Sequence, residues 1–465
     1  MMSNSPANLS SLLPYAILTG YSIPFIRRLV PKVDHCLLHA TVAVQNYASR
    51  CYYHLTSTYG SSYRPPTPYD TTVSAEWLTD ILRGQKVIPN NVRVVEAVIE
   101  DLKGNRGLAS AMSRIVITYS ANSDDYPKCL ILKQLPTNNT YNCIFQRQAN
   151  EALFYEYYGK EYAELIPRSY YQRAFLGRMV ILLEDLTATK KGRGVNFFFG
   201  NQIWGVPDEM KVNAPDQLTV LKEAFTLAAR WHSKHWNDRK ILNNHWMKGS
   251  LWYLNQDRAR WESGINYAKK NWAEYKRKIA NKETIINFSD KLMNIIDRSF
   301  ENTSWENLQK HLQDPKVPFV LDHGDFHSSN MFWLDSAEAG NKIRAFDLSE
   351  AGPWEPTTSL GQMLMSDVRP EVWRGNEKAL VTIYWNELVR NGVDGDVYTL
   401  DDCYSQFERS AVEKWIWFIC LLIVFPVPPA LNQYFHDQVL AFIEEHNHWD
   451  YYILKPVCCI TDLKF

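Results

Sequence analysis

The chain has 465 residues, of which 46% are hydrophobic and 22% are charged, an ordinary composition for a globular protein. This length predicts two or three domains and is ample to bury a sizeable core. The formal net charge of −1 provides no basic field to attract nucleic acid or an anionic membrane, so we expect no nucleic-acid partner.

Residues 1–70 are predicted to form an N-terminal extension that is docked, disordered or used for targeting. The stretch before residue 70 contains five Lys or Arg residues and one acid, Asp34, and such an acid-poor, basic start resembles a mitochondrial transit peptide. The apolar run Leu12–Ile26 is too short for a confident transmembrane span. We expect a cytoplasmic protein, with mitochondrial targeting or membrane association through residues 1–30 as alternatives. The Pro-, Ser- and Thr-rich segment Ser61–Thr72 places the boundary near residue 70.

Residues 71–187 are predicted to form a strand-rich domain. A glycine-containing loop, Asp101–Ala109, lies between the first two predicted strands. Apolar residues at helical spacing predict a helix over Gln146–Tyr158. Runs of apolar and β-branched residues predict strands at Val92–Glu100, Met112–Tyr119, Cys129–Leu135 and Arg178–Leu186.

Residues 188–465 are predicted to be mostly helical. Pro215–Trp236 and Arg258–Phe300 have helical patterns. The apolar run Trp415–Phe425 suits a buried core helix better than a membrane span. Short strands are predicted at Val317–His323, Met331–Asp335 and Ile343–Leu348. A strand-rich part followed by a helical part with a small sheet at its start indicates an α+β fold.

The segment His323–Asn330, with the sequence HGDFHSSN, has the clearest chemical signal. Phosphoryl transfer from ATP needs an acceptor hydroxyl held in line, a carboxylate that orients it and takes its proton, and metal ions that hold the phosphates. Asp325 can face the hydroxyl, and Asn330 can coordinate Mg²⁺. Asp347, at the end of the next predicted strand, offers a second oxygen ligand of the kind that Mg²⁺ prefers.

A phosphate-binding lysine is expected upstream of this loop, and Lys133 fits that role. It lies within an apolar strand, where an isolated charge is costly unless it has a partner. Glu151, on the predicted helix that follows, is the expected partner. The backbone amides of the loop Gly104–Ser110 could cover phosphates, although the loop lacks the GxGxxG spacing.

These elements occur in a fixed order: glycine loop, strand lysine, helix glutamate, apolar hinge strand, catalytic loop and metal aspartate. In this order the sequence resembles the small-molecule kinases of the choline/ethanolamine kinase, aminoglycoside phosphotransferase and ecdysteroid kinase-like group. HGDFHSSN is similar to their catalytic loop, NEALFYEYY to their ExxFY helix and LLEDL to their hinge before the nucleotide base. FDLSEAG takes the place of their metal-binding aspartate segment. The resemblance covers roughly Val92–Gln362.

The resemblance implies a protein-kinase-like fold with two lobes, a small strand-rich N-lobe at 71–187 and a larger helical C-lobe at 188–465. It also implies ATP and Mg²⁺ as cofactors and the hydroxyl of a small molecule as phosphate acceptor. Carried over residue by residue, Asp325 is the catalytic base, and Asn330 and Asp347 hold the metal ion. The nucleotide-binding residues that the resemblance implies are Lys133, Glu151, Gly104, Asn105, Gly107, Ser110, Glu184, Asp185 and Leu186. Of these, Glu184, Asp185 and Leu186 would frame the adenine through backbone groups.

The loop sequence HGD in place of HRD, with no APE-type segment after Asp347, favours a small-molecule acceptor over a protein. We therefore predict an ATP-dependent phosphotransferase, with a sterol, an amino alcohol, a sugar or a xenobiotic left open as the acceptor. A catalytically weak pseudokinase that binds nucleotide or acts as a scaffold is the alternative. Leu-Ser follows Asp347 where relatives often have Phe-Gln, and Ser359 lies where they often have Asp. The sequence predicts no oligomeric state.

Overall fold

The computed structural model describes residues 31–59, 62–102, 110–121, 124–135, 140–187, 193–194, 215–335, 337–422 and 429–446. The chain divides into two compact units. The first is made of Met1–Ala163 and Pro167–Lys190, and the second of Glu164–Ile166 and Lys191–Phe465. The three-part division predicted at residues 70 and 187 stays a prediction.

The described part of the first unit contains helices and one antiparallel sheet of five strands. In chain order its elements are α1 (Pro31–Tyr59), α2 (Ala75–Gly84), β1 (Val94–Asp101), β2 (Ala111–Tyr119), β3 (Cys129–Gln134), α3 (Thr140–Phe145), α4 (Asn150–Tyr158), β4 (Ser169–Phe175) and β5 (Arg178–Glu184). The strand order is β1-β2-β3-β5-β4, and each neighbouring pair is antiparallel.

Helix α2 and the sheet share a hydrophobic core. Trp77 and Leu78 of α2 belong to the same buried cluster as Ile115 and Leu130 of the sheet. The helix begins after Ser74, whose hydroxyl oxygen accepts a hydrogen bond from the Trp77 amide at 3.2 Å. Burying a large apolar side chain contributes about 1.5–3 kcal/mol, so this packing holds α2 on the sheet.

The described part of the second unit is mostly helical. Its helices are α5 (Gln217–Ser233), α6 (Ser250–Tyr253), α7 (Arg258–Ala280), α8 (Asp290–Asn302), α9 (Trp305–Leu312), α10 (Thr357–Asp367), α11 (Pro370–Trp373), α12 (Glu377–Arg390), α13 (Leu400–Ser410), α14 (Glu413–Leu422) and α15 (Pro429–His446). Its short strands are β6 (Arg193–Gly194), β7 (Val320–Asp322), β8 (Met331–Trp333), β9 (Ile343–Ala345) and β10 (Gly352–Trp354). β10 pairs with β7, and β8 lies between β6 and β9.

The short strands hold the segment His323–Asn330 at both ends. It starts directly after β7, which pairs with β10, and it ends where β8 begins. β8 and β9 are antiparallel, and beyond them the Phe346 amide donates to the Asn330 carbonyl oxygen at 2.9 Å. Strand pairing therefore places Asn330 beside the residue that precedes Asp347.

Helices α10 and α14 form part of the core of the second unit. A Cβ atom at Gly361 of α10 would lie 2.1 Å from Ala411 Cα, so this close approach requires glycine. In α14, Trp415 and Trp417 are at most 2% exposed, which confirms the buried helix predicted for Trp415–Phe425 as far as residue 422. The remaining three residues of that prediction lie outside the described part of the chain. Among the helices that the structure describes, none is both long enough and apolar enough to span a membrane.

The predicted α+β fold class is confirmed, with a strand-rich first unit and a mostly helical second unit. The sequence predicts neither α1 nor β4. Strand β4 lies at the edge of the sheet and has the sequence SYYQRAF, whose polar centre lacks an apolar strand pattern. The helix predicted from Gln146 begins only at Asn150, after turns in which Arg147 has a positive φ of 57°. The membrane association considered for residues 1–30 lies outside the described residues.

Candidate active site

The loop that carries Asp325 turns sharply at Gly324. Its φ of 82° lies in the left-handed region that favours glycine, and a Cβ atom there would lie 2.1 Å from the Glu350 carbonyl oxygen. The Gly324 amide donates to Asp322 Oδ1 at 2.6 Å, and Asp322 is the last residue of β7. The glycine of the HGD motif is therefore required for the position of Asp325.

Replacement of Gly324 by alanine is expected to destabilise the protein. The left-handed backbone alone costs about 1–3 kcal/mol for such a residue, and the clash with the Glu350 carbonyl adds to this. Gly392→Ala is a matched control, because Gly392 also has a positive φ, of 98°, but no atom lies within 4 Å of its Cβ position. Calorimetric melting temperatures check the prediction. Equal losses for the two variants would show that the Glu350 carbonyl imposes no requirement.

Four neighbouring side chains hold the carboxylate of Asp325. Oδ1 accepts a hydrogen bond from Gln362 Nε2 at 2.7 Å and lies 3.5 Å from Lys414 Nζ. Oδ2 accepts from Asn330 Nδ2 at 3.1 Å and lies 3.4 Å from His327 Nε2. The Asp325 side chain is still 34% exposed. The carboxylate is thus both oriented by the protein and accessible.

The charges around Asp325 keep it ionised. Burial raises the pKa of Asp325, but the positive charges of His327 and Lys414, with hydrogen bonds from His327 and Gln362, outweigh burial and hold this pKa well below its usual range. The negative charge of Asp325 in turn raises the pKa of His327 against the effect of burial. Burial lowers the pKa of Lys414. At neutral pH Asp325 is therefore an acceptor of hydrogen bonds and not a proton donor.

A buried aspartate, Asp322, anchors the start of the loop. Its Oδ2 accepts a hydrogen bond from the Ser359 hydroxyl at 2.6 Å and lies 3.2 Å from His232 Nε2. His232 Nδ1 lies 2.9 Å from the hydroxyl of Tyr384, on α12. Ser359 is therefore a member of the network that supports the loop.

The remainder of the loop is anchored by α10 and α14. Asp367 accepts hydrogen bonds from the Ser328 amide at 2.8 Å and from the Ser328 hydroxyl at 2.6 Å. Lys414 Nζ donates to the Gly324 carbonyl oxygen at 2.8 Å and also to Gln362 Oε1. Buried groups from two helices thus fix the backbone on both sides of the exposed aspartate.

Asn330 and Asp347 provide oxygen atoms suited to Mg²⁺. Asn330 Nδ2 donates to the Asp325 carbonyl oxygen at 3.0 Å, which leaves Oδ1 as the amide atom able to bind a cation. Asp347 is half-buried and has a left-handed backbone with a φ of 65°. Mg²⁺ commonly takes one or two protein oxygens together with phosphates and water, so these donors fit it. Within the described ranges, no group of three or more His, Cys, Asp and Glu residues is arranged to hold a metal ion.

In the first unit, the ion pair expected between Lys133 and Glu151 is formed. Lys133 lies on β3 and Glu151 on α4, and Lys133 Nζ is 2.7 Å from Glu151 Oε2. Both side chains are at most 3% exposed, so each charge offsets the cost of burying the other. The predicted contact of Lys133 with phosphates stays a prediction.

The segment after β5 is held in place by Asp185. Its side chain is 1% exposed, and Oδ2 accepts a hydrogen bond from Arg114 Nε at 2.7 Å. The Glu184 amide donates to the Arg168 carbonyl oxygen at 2.8 Å, so this group is already used within the protein. The side chain of Asp185 is therefore a structural anchor. Adenine contacts from the backbone of Glu184, Asp185 and Leu186 stay predictions.

The structure describes only one residue of the predicted phosphate loop. Ser110 is 9% exposed and directly precedes β2. The other three nucleotide-binding residues predicted in this loop lie outside the described ranges: Gly104, Asn105 and Gly107. The structure thus brings Asp325 together with Asn330, and Lys133 together with Glu151.

The sequence patterns did not identify Gln362 and Lys414, which both contact Asp325. Both are polar residues within or next to apolar runs, Gln362 in LGQMLM and Lys414 before WIWFICLL. A polar residue inside an apolar helix was the only sequence feature that could have indicated these two residues. Without the tertiary contacts, such an isolated polar residue is interpreted as facing solvent.

A small, partly open cavity of about 20 Å³, with room for about one water molecule, lies next to α14. The Tyr253 hydroxyl is buried and has no hydrogen-bond partner in the part of the chain that the structure describes. Glu355 is paired with His311 and Arg409, and Arg409 NH1 is also 3.0 Å from Glu413 Oε1. Burial raises the pKa of Glu413 to about 7. The residues that line the cavity are Tyr253, Leu312, Trp354, Glu355, Thr358, Glu413 and Lys414. Two of them carry carboxyl groups, but their negative charge is largely compensated by His311 and Arg409.

Residues 237–393 match the model of the ecdysteroid kinase-like family. The matched segment includes the HGDFHSSN loop and Asp347. The resemblance predicted from these motifs is therefore confirmed for this part of the chain. No curated protein matches the chain in sequence.

Solved structures of small-molecule kinases are similar to this chain at low sequence identity. An ethanolamine kinase from Plasmodium vivax is 11% identical over 85% of this chain and 93% of that chain, with a TM-score of 0.38. A choline kinase from Streptococcus pneumoniae is 10% identical over 79% and 98% of the two chains, with a TM-score of 0.38. An aminoglycoside phosphotransferase from Streptomyces rimosus, in complex with ADP and streptomycin, is 11% identical over 66% and 92%, with a TM-score of 0.31.

Proposed function

We propose that this chain is an ATP-dependent phosphotransferase that transfers the γ-phosphate of ATP to a hydroxyl group of a small molecule. The observation that carries the proposal is the Asp325 carboxylate, which is held at both oxygens, kept ionised and one third exposed. The match of residues 237–393 to a family of kinase-like proteins supports it.

Asp325 has two tasks in the proposed reaction. Its carboxylate accepts a hydrogen bond from the acceptor hydroxyl, which aligns that oxygen for in-line attack on the γ-phosphorus. As the new oxygen–phosphorus bond forms and the bond to the leaving oxygen breaks, the hydroxyl proton passes to Asp325. Because its lowered pKa makes Asp325 a weak base, we expect orientation to be its main contribution, with proton transfer late in the step.

The proposed cofactors are ATP and Mg²⁺. Asn330 Oδ1 and the Asp347 carboxylate would hold Mg²⁺, which when bound supplies charge neutralisation at the phosphates. Lys133 would contact the phosphates, and its ion pair with Glu151 holds the ammonium group in one orientation. Lys133 is 2% exposed, so a phosphate that reaches it would be largely removed from water.

The cavity next to α14 is proposed to receive one polar group of the acceptor. Lys414 is among its lining residues, and Lys414 Nζ lies 3.5 Å from Asp325 Oδ1, although Asp325 itself does not line the cavity. The Tyr253 hydroxyl can donate a hydrogen bond to a second polar atom of the acceptor. Since Arg409 pairs with both cavity carboxyl groups, we expect an uncharged alcohol to bind better than an ammonium compound.

Mg²⁺-dependent ATP binding, measured by thermal shift, tests the proposed function. Ligands that bind only the native state raise its stability, by about 2.7 kcal/mol at 100 times the dissociation constant. We expect ATP to raise the melting temperature of the wild type only with Mg²⁺, and Asp347→Ala to lose most of this shift. Asp335→Ala is a matched control, because Asp335 is an exposed carboxylate between β8 and β9, and it should keep the shift.

Two results would overturn the proposal. No ATP shift in folded wild-type protein would favour the scaffold alternative. An ATP shift without any phosphorylated product, across a panel of neutral and cationic alcohols, would favour a pseudokinase that binds nucleotide.

A further inference from the structure

A buried cluster of four ionisable side chains joins four elements of the second unit. Glu355 directly follows β10, and His311 lies on α9. Arg409 lies on α13, and Glu413 is the first residue of α14. The two glutamates are 5% and 7% exposed. Since β10 pairs with β7, which leads into the loop of Asp325, the cluster lies among the supports of the candidate active site.

Arg409 lies between the two carboxyl groups of the cluster. Its Nη1 donates to Glu413 Oε1 at 3.0 Å, and its Nη2 donates to Glu355 Oε2. Glu355 Oε2 also accepts a hydrogen bond from Gln406 Nε2 at 2.9 Å, and Glu355 Oε1 is paired with His311 Nε2. Among the described residues, the side chain of Glu413 accepts a hydrogen bond from Arg409 alone. The two carboxyl groups therefore share one guanidinium, and Glu355 has the stronger set of partners.

The number of protons on the cluster changes near neutral pH. Burial and the negative charge of Glu355 raise the pKa of Glu413 to about 7, against the opposite effect of Arg409. Burial also raises the pKa of Glu355, but the positive charges of Arg409 and His311 outweigh it and hold this pKa below its usual range. Burial lowers the pKa of His311, but the charge of Glu355 outweighs it and raises this pKa. Glu413 and His311 therefore both lose their protons as the pH rises from slightly acidic to slightly basic.

The other neighbours of Glu413 do not titrate in this range. Lys414 of α14, Tyr253 of α6 and the uncharged Thr358 of α10 line the same small cavity. Burial raises the pKa of Tyr253 well above its usual range and lowers the pKa of Lys414, which the charge of Asp325 raises. Helices α7, α8 and α15 also pack on α14, but none of their described charged groups pairs with Glu413.

Loss of the two protons leaves two buried carboxylates against the single positive charge of Arg409. Like charges that are poorly solvated repel each other strongly. Lys414 follows Glu413 in the first turn of α14, and its Nζ donates to the Gly324 carbonyl oxygen at 2.8 Å. A change in the position of this turn is therefore transmitted to the backbone that precedes Asp325.

We propose that this cluster makes the position of Lys414 depend on pH. While Glu413 and His311 hold their protons, Arg409 and Glu355 keep the first turn of α14 in place. When the protons are lost, the excess negative charge loosens that turn, and Asp325 is oriented less well. Glu413 is thus a positioning residue, and its effect on turnover rests on the proposed phosphotransferase function, whereas its effect on stability does not.

Melting temperatures of the full chain at about pH 5 and about pH 8 test the effect on stability. A carboxyl group whose pKa is raised on folding, here to about 7, adds stability at low pH that is lost as the pH rises through that value. We expect Glu413→Gln, which imitates the neutral carboxyl group, to melt with the wild type at the lower pH and above it at the higher pH. Glu371→Gln, at an exposed position of α11, is the matched control and should follow the wild type at both.

The pH profile of kcat at saturating acceptor tests the link to Lys414. We expect the turnover of the wild type to fall as the pH rises above about 7, and Glu413→Gln to move this fall to higher pH. A melting-temperature difference between Glu413→Gln and the wild type that is equal at both pH values would overturn the proposal. An expected change in stability with identical pH profiles would overturn the link to Lys414.

Hydrogen exchange of the wild type carries the test if Glu413→Gln does not fold. After correction for the intrinsic rate, amides at the start of α14 should exchange faster at the higher pH relative to those of α7. An unchanged ratio would overturn the proposal. Failure of ATP to bind in the thermal-shift experiment would remove the proposed function but leave the melting-temperature and exchange tests intact.

Discussion

Asp325→Asn is expected to lower the turnover number by about 10²- to 10⁴-fold while leaving Mg²⁺-dependent ATP binding in place. Asparagine has nearly the shape of aspartate, but it keeps only one acceptor oxygen, so one of the two hydrogen bonds donated by Gln362 Nε2 and Asn330 Nδ2 is lost. The amide has no negative charge and does not take the proton of an acceptor hydroxyl. Product formation with an acceptor found in the panel, together with the ATP thermal shift, measures both effects.

The control for Asp325→Asn is Asp314→Asn, which changes an exposed aspartate of the same unit. This variant should keep full turnover. Turnover of Asp325→Asn equal to that of the control would exclude Asp325 as the base and orienting group. A loss of ATP binding together with turnover would show instead that Asp325 supports the nucleotide site.

Lys414→Met is expected to lower both stability and turnover. Lys414 donates to the Gly324 carbonyl oxygen and to Gln362 Oε1, and loss of a donor to such buried groups costs about 1–3 kcal/mol each. Gln362 also donates to Asp325, so the carboxylate loses orientation and turnover falls by about 10- to 100-fold. Lys310→Met, at an exposed position of the same unit, is the matched control and should change neither quantity.

The pH profile separates a direct electrostatic role of Lys414 from a purely structural one. Burial raises the pKa of Asp325, and the charge of Lys414 is one of the influences that lower it, so its removal raises that pKa. When the solution is acidified, the Asp325 carboxylate of the variant is then protonated, and activity is lost, at a higher pH than in the wild type. We expect the acid limb of kcat/KM to move to higher pH in Lys414→Met. An unmoved acid limb with reduced turnover would mean that Lys414 acts only through packing and hydrogen bonds.

Local patterns were sufficient to predict much of the fold. Strands β1, β2, β3 and β5 were recognisable because apolar and β-branched residues dominate them, and their predicted bounds differ little from those observed. Strand β4 was not recognisable, since an edge position tolerates polar residues such as Gln172 and Arg173. Helix α1 was missed within a segment whose composition indicated an extension.

The sequence by itself determined the candidate groups that lie close together along the chain. Asp325 and Asn330 belong to one motif. The turn before them needs glycine at 324 because its φ is positive and because a Cβ atom there would clash with the Glu350 carbonyl oxygen. The pairing of Lys133 with Glu151 was also predictable, because a lysine inside an apolar strand requires a nearby counter-charge.

Only the tertiary structure decided which distant residues surround Asp325 and what charge the cavity next to α14 has. Helix α14 is buried on nearly every side, so its hydrophobic pattern contains no information on the direction of Lys414. Whether Glu355 is free or neutralised depends on its meeting with Arg409 of α13, and no local pattern specifies that contact. In the same way, the segment after α1 brings Arg64 to the β4–β5 hairpin, which carries Arg173 and Arg178. The physical reason is that electrostatic and hydrogen-bond energies depend on distance in space, whereas a sequence pattern reports only neighbours along the chain.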